Sequence, residues 1–212
     1  VTTVAWILLG AAALLAVLDW LAVAQGHRRL EYVCKPGATL ALALVAATLD
    51  PAYSDTRTLF VLALLASLAG DVFLMLPGDR FVAGLGSFFV AQLLYTAGFV
   101  LHGGSLADEA IGATIVAALV VPLCLRFVGA LRRAGRDDLV APVLAYMGAI
   151  GAMAASAIAT GNAFAIVGAL LFVASDSLIA ETRFVKERPW GQVAVMVTYH
   201  FAQAGLVLSL LS

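Results

Sequence analysis

Charge is what this chain has least of: Asp, Glu, Lys and Arg make up 12% of its 212 residues, where soluble domains carry roughly a quarter. So few charges exclude an ordinary water-facing surface, and a net charge of -1 excludes the basic face with which proteins grip nucleic acid. Cysteine is nearly absent. Cys34 and Cys124 are far apart, in or beside apolar segments, and read as inert packing residues, not as a disulfide framework or thiolate metal site. Histidine is equally short. His27 and His102 fall in loops on opposite sides and only His200 lies within an apolar run, so no three-histidine site can form and neither a metal nor a cofactor is expected. A G-x-S-x-G elbow is missing, and Ser175 and Ser177 have no histidine at their end of the run to activate them.

What the chain has is long apolar runs. Hydrophobic residues reach 63% and the mean hydropathy is +1.04. A bilayer core of about 30 Å takes on the order of 20 apolar residues per helix, so the length accommodates eight or nine spans at most and no soluble domain besides. Runs separated by charge and turn residues predict helices over Val4–Ala24, Pro36–Leu49, Thr58–Leu76, Phe81–Leu101, Ala110–Val128, Leu139–Ile158, Ala163–Ala180 and Trp190–Leu211. They are too long for strands and lack period-two alternation. The expected fold is therefore all-α, a polytopic membrane bundle of eight transmembrane helices in one integral membrane domain, 1–212. The first run has no basic region before it and exceeds a signal-peptide core, so it is expected to remain as a span.

Lys and Arg in short loops mark the cytoplasmic side. With both termini outside, Arg28, Arg29, Lys35, Arg80, Arg126, Arg132, Arg133, Arg136, Arg183, Lys186 and Arg188 fall inside and only Arg57 outside. Adding or removing one helix would scramble that bias. The expected location is the bacterial inner membrane.

Against this background three intramembrane acids, Asp19, Asp71 and Asp176, each need a reason, since an aspartate at a helix centre costs roughly +2.5 to +3.5 kcal/mol to insert. All three sit on spans running inward, about 8 Å below the inner surface by the 1.5 Å rise per residue. Asp19, near its helix end, reads as a snorkelling or structurally paired group. Asp71 and Asp176 lie in similar stretches, SLAGDVFLML and FVASDSLIAE, where preceding small residues let helices approach closely; these two are the expected catalytic residues. Glu181, one turn nearer the surface, reads as a boundary charge. The second predicted span is short, about 21 Å, and would draw Lys35 into the membrane as counter-ion and head-group contact, with Pro36 in the first helical turn. Polar stripes on the fourth and eighth spans, Phe88, Gln92, Tyr95 and Phe99 on one and Gln192, Met196, Tyr199 and Gln203 on the other, place amides and phenols where each needs a hydrogen-bonding partner. Gln92, Tyr95, Tyr199 and Gln203 join Lys35 as expected substrate-binding residues. Asp71 precedes Tyr95 by 24 residues and Asp176 precedes Tyr199 by 23, which suggests a 4+4 parallel internal repeat with a site at its interface.

Two carboxyls at one depth suit acid catalysis, one keeping its proton in a low-dielectric site while the other stays charged. Substrates that react through an oxocarbenium-like cation after proton transfer fit this pair; glycosides do so, and vinyl ethers follow the same logic. Paired intramembrane acids are also proton relays, so a proton-coupled transporter or lipid flippase is the rival class, although no span shows the broken-helix pattern of transporters. A structural scaffold is the third.

The motifs, in order, are KP at Lys35 and Pro36, GDVFLML at Asp71, F-x-x-G-L-x-x-F-x-x-A-Q-x-x-Y from Phe81 to Tyr95, SDSLIA at Asp176 and YHFAQ from Tyr199 to Gln203. Together they resemble the YhhN-like family of membrane proteins, which includes the lysoplasmalogenases. That family often has histidine where Gln92 stands, which makes Gln92 a hydrogen-bonding residue here. The resemblance implies an intramembrane hydrolase that cleaves the vinyl ether of a lysoplasmalogen, a lysophospholipid substrate, into fatty aldehyde and glycerophosphocholine or glycerophosphoethanolamine. Its site would open to the cytoplasmic half, with Lys35 facing the phosphate.

Overall fold

The computed structural model describes residues 2–51, 53–101 and 103–211, and among them every regular element is helical. The helices are α1 (Thr3–Gln25), α2 (Arg28–Thr48), α3 (Ser54–Met75), α4 (Phe81–Leu101), α5 (Leu106–Arg133), α6 (Val140–Ala159), α7 (Ala163–Ala180) and α8 (Gly191–Leu208). All eight, with their short flanking turns, are long and apolar enough to cross a membrane, as expected. His102, assigned to a loop from the sequence, lies outside the described residues.

Local chemistry sets the ends. Thr2 caps α1 by accepting from the Ala5 amide at 3.2 Å, and the helix stops at Gly26, whose φ of 70° few other residues tolerate. Ser105 and Asp108 form a capping box at the start of α5, which carries Asp108 and Glu109 in its first turn and Arg132 and Arg133 in its last, charges that complement the helix dipole. These ends carry α5 to 28 residues, about 42 Å, well past the apolar run Ala110–Val128 that marked it in the sequence.

The second span requires a correction. It begins at Arg28, so Lys35 and Pro36 are interior to a helix of 21 residues and the span is not short. Charged residues at Arg28, Arg29 and Glu31 read as a loop because they interrupt the hydropathy, yet a first helical turn can be polar where it leaves the membrane. Pro36 has no N–H for the Tyr32 carbonyl, and the helix nevertheless continues through it, as α5 continues through Pro122.

Helices α2, α3, α4, α6, α7 and α8 close a ring in which each packs on the next and α8 returns to α2. Outside the ring, α1 lies against α2 and α8, and α5 lies against α6. Small residues allow the closest approaches: a Cβ on Gly168 would fall 2.8 Å from the Leu206 amide nitrogen, and one on Gly205 would fall 2.9 Å from the Gly168 Cα. Helices α7 and α8 therefore meet backbone to backbone. Gly70, beside Asp71, makes room for the Phe88 ring, whose Cδ2 would lie 2.6 Å from an added Cβ. Asp71 is thus brought up to the aromatic centre of the ring.

Candidate active site

Helix α3 turns Asp71 to the inside of the ring, where it is wholly buried. Three groups from two other helices meet its carboxyl. Lys35 on α2 places Nζ 3.4 Å from Oδ1, with both side chains buried. One turn along the same face of α2, Thr39 donates to Oδ2 at 2.8 Å, and Tyr199 on α8 donates to the same oxygen at 2.7 Å. The tyrosine is itself held: Gln203 Nε2 donates to its hydroxyl at 3.2 Å, and the Tyr95 hydroxyl of α4 donates to Gln203 Oε1 at 2.7 Å. A chain of four residues therefore links α4 through α8 to the carboxyl on α3. Each buried polar atom named in it gains the partner that burial demands, and mutual polarisation strengthens the whole.

Asp176 on α7 has a separate set of partners. The Tyr146 hydroxyl of α6 donates to its Oδ2, and Gln92 Nε2 of α4 donates to the Tyr146 hydroxyl at 3.3 Å. Three buried rings, Tyr199 of the Asp71 set, Phe172 and Phe88, the last beside the cavity that touches Asp176, pack edge to face with centroids 5.7 to 6.2 Å apart. No cation stands within ion-pair distance of Asp176 among the described residues.

A mouth of about 390 Å³ opens above the acids at the end of the bundle rich in Lys and Arg, lined by Arg28, Glu31, Lys35, Arg183 and Gln192 among others. Its floor includes Leu74 and Ile179, each three residues, or about one helical turn, beyond an acid. Arg183 reaches both carboxylate oxygens of Asp79 at 2.7 Å and covers the Phe81 ring at 4.3 Å. The guanidinium holds the Asp79 carboxyl below the usual carboxylate range. A much smaller cavity of about 40 Å³ touches Asp176, Tyr146 and Phe88.

Of the residues singled out in the sequence, Lys35 lines the mouth, while Gln92, Tyr95 and Gln203 are wholly buried behind Tyr146 and Tyr199. Glu181 bonds Arg126 at 2.8 and 2.9 Å and Arg188 at 3.4 Å at the same end of the bundle. Ser175 and Ser177 donate to the carbonyls of Val195 and Val173.

Asp19 is neither a snorkelling nor a paired group: it is fully buried, and neither carboxyl oxygen has a hydrogen-bond partner among the described residues. It falls on the buried stripe of α1 with Ala16 and Ala22, and its single methylene is too short to carry the charge to the interface as a lysine stem would. Two site residues had no separate signal in the sequence, Thr39 and Tyr146. The phenol of Tyr146 needs a partner by the same reasoning applied to Tyr95 and Tyr199; Thr39 could have been found from its place four residues after Lys35, on the same helical face.

A family model described as the YhhN family matches residues 30–210. A lysoplasmalogenase of Mycobacterium bovis is 32% identical over 192 residues, covering 87% of this chain and 70% of that protein. Human lysoplasmalogenase TMEM86B is 34% identical over 149 residues, covering 70% and 62%. An uncharacterized membrane protein YhhN of Escherichia coli O6:H1 is 37% identical over 83 residues, covering 38% and 39%. No solved structure matches the chain.

Proposed function

The chain belongs to the YhhN family of integral membrane proteins, and from that membership and its intramembrane acids we propose that it hydrolyses the vinyl ether of lysoplasmalogens. The products are a fatty aldehyde and glycerophosphocholine or glycerophosphoethanolamine. One observation carries the reading: a wholly buried carboxyl, Asp71, and a partly buried one, Asp176, lie about one turn beneath a polar, cation-lined mouth, and among the described residues only Asp71 has a counter-ion.

That asymmetry divides the work. A carboxylate paired with an ammonium is the charged member, so Asp71 faces the cation that develops on the ether-bearing carbon. Asp176, which accepts from a phenol and has no cation within ion-pair distance among the described residues, delivers its proton to the neighbouring vinyl carbon. Water then adds to the oxocarbenium carbon and yields a proton to a carboxylate. The hemiacetal collapses to aldehyde and free glycerol hydroxyl, with one water consumed in all. Lys35 lies between the mouth and Asp71 and meets the phosphate. Gln92, Tyr95 and Gln203 act through the two tyrosines as positioning residues.

The eleven-to-one distribution of Lys and Arg supports a cytoplasmic mouth, termini outside and a bacterial inner membrane. Packing of α4 on α6 and of α8 on α2, with α1 and α5 both outside the ring, supports a 4+4 parallel repeat. Purified protein in detergent supplied with a lysoplasmalogen should release aldehyde, and Asp71→Asn and Asp176→Asn should each lower the rate by about 10²- to 10⁴-fold. No aldehyde from the unaltered protein, or full activity in both variants, overturns the reading. Proton-dependent solute uptake in proteoliposomes would favour a transporter instead.

A further inference from the structure

We propose that the groove between α1, α2 and α8 holds the hydrocarbon chain of a single-chain lipid whose polar head occupies the mouth. This deepens the lysoplasmalogen reading and rests on it for the identity of the head. The mouth is bordered by Val23 of α1, Lys35 of α2 and Met196 of α8. The groove, about 310 Å³, is bordered by Trp20, Ala38 and His200 of the same three helices. Each second residue lies three or four positions, about one turn, farther from the basic end than the first. Polar mouth and apolar groove therefore follow one another along one set of helices, in the order head then tail.

The groove is shaped for a chain. On α1 it runs from Trp20 to Leu9, about 16 Å at 1.5 Å per residue, and Ala12, Ala16, Ala38 and Ala204 leave it open by presenting only methyl groups. Val17 and Phe201 on its walls are 43% and 55% exposed, so in a bilayer it opens sideways to the lipid.

An unsatisfied donor stands at the head of the groove. Trp20 Nε1, which can only donate, bonds His200 Nδ1 at 2.9 Å, so the neutral imidazole carries its proton on Nε2. That buried atom has no hydrogen-bond partner among the described residues. Leaving it so is costly, and a hydroxyl oxygen of the glycerol at the junction of head and chain would relieve it. One groove admits one chain, which selects lysolipids over diacyl lipids.

Two measurements on the full chain in detergent test this. In the first, Ala16→Phe and Ala204→Phe fill the groove, and kcat/KM is compared for lysoplasmalogens with long and short alkenyl chains. The long-to-short ratio should fall by about 10-fold; an unchanged ratio overturns the proposal. In the second, which needs neither activity nor a variant, a lysophosphatidylcholine with a diazirine at its chain end is photolysed on the unaltered protein and the labelled peptides are mapped. Label on α1 and α8 supports the groove. Label confined to α4, α6 and α7, or displaced equally well by diacyl phosphatidylcholine, overturns it. If no aldehyde forms but α1 and α8 are labelled, the hydrolase reading fails while the groove stands.

Discussion

Replacing Lys35 with Met tests the central ion pair directly. At 3.4 Å, two unit charges attract by about 5 kcal/mol with an effective dielectric constant near 20, but removing both from water costs a comparable amount, so the pair itself contributes little net. Breaking it from one side is different. Lys35→Met leaves the Asp71 carboxylate with two hydroxyl donors and no counter-ion, and should cost about 3 to 5 kcal/mol. Asp71→Asn keeps an acceptor for Thr39 and Tyr199 and leaves a lysine that borders the mouth, so about 1 to 3 kcal/mol is expected. The double variant removes both charges and should be less destabilised than the sum by roughly 2 kcal/mol or more. Reversible unfolding by sodium dodecyl sulfate in mixed micelles, on all four proteins, gives the coupling. Additivity within about 0.5 kcal/mol would show that the two charges do not depend on one another and would refute the assignment of Asp71 as the charged acid.

Tyr146→Phe removes the only donor seen at Asp176 among the described residues without opening a cavity, so kcat should fall by about 10- to 100-fold with KM little changed, the pattern of a residue that acts only in the transition state; equal kcat in the two proteins would remove Tyr146 from the mechanism. Gly205→Val drives a branched side chain into the Gly168 backbone, 2.9 Å from where its Cβ must sit, and should destabilise by about 1 to 3 kcal/mol or more in the same unfolding assay. Gly86, with open space around its Cβ position, is the matched control, and Gly86→Ala should be close to neutral. Equal loss at both positions would mean that α7 and α8 do not depend on their close approach.

Counting along an apolar run yields depth, and where a run ends at a sharp turn it yields the boundary too: both ends of Phe81–Leu101 and the start of α7 at Ala163 were legible to the residue because PGDR, HGGS and TGN interrupt the chain abruptly, whereas past Ala180 the helical backbone runs on through Val185. The start of α2 was not legible, since a polar first turn and a loop share one composition. Depth also brought Asp19, Asp71 and Asp176 to one level, but depth carries no information about which neighbour a helical face meets. Asp71 meets Lys35, Thr39 and Tyr199 because Gly70 lets α3 close on α4 and because α8 returns to α2 across the ring. Asp19, at a similar depth on a helix outside that ring, meets no hydrogen-bonding group among the described residues. Thr39 shows the limit most plainly: its hydroxyl lies 3.5 Å from the Lys35 carbonyl one turn back and 2.8 Å from Asp71. A threonine in a span can satisfy itself through the first contact alone, so only the position of α3 reveals that it also holds a carboxyl.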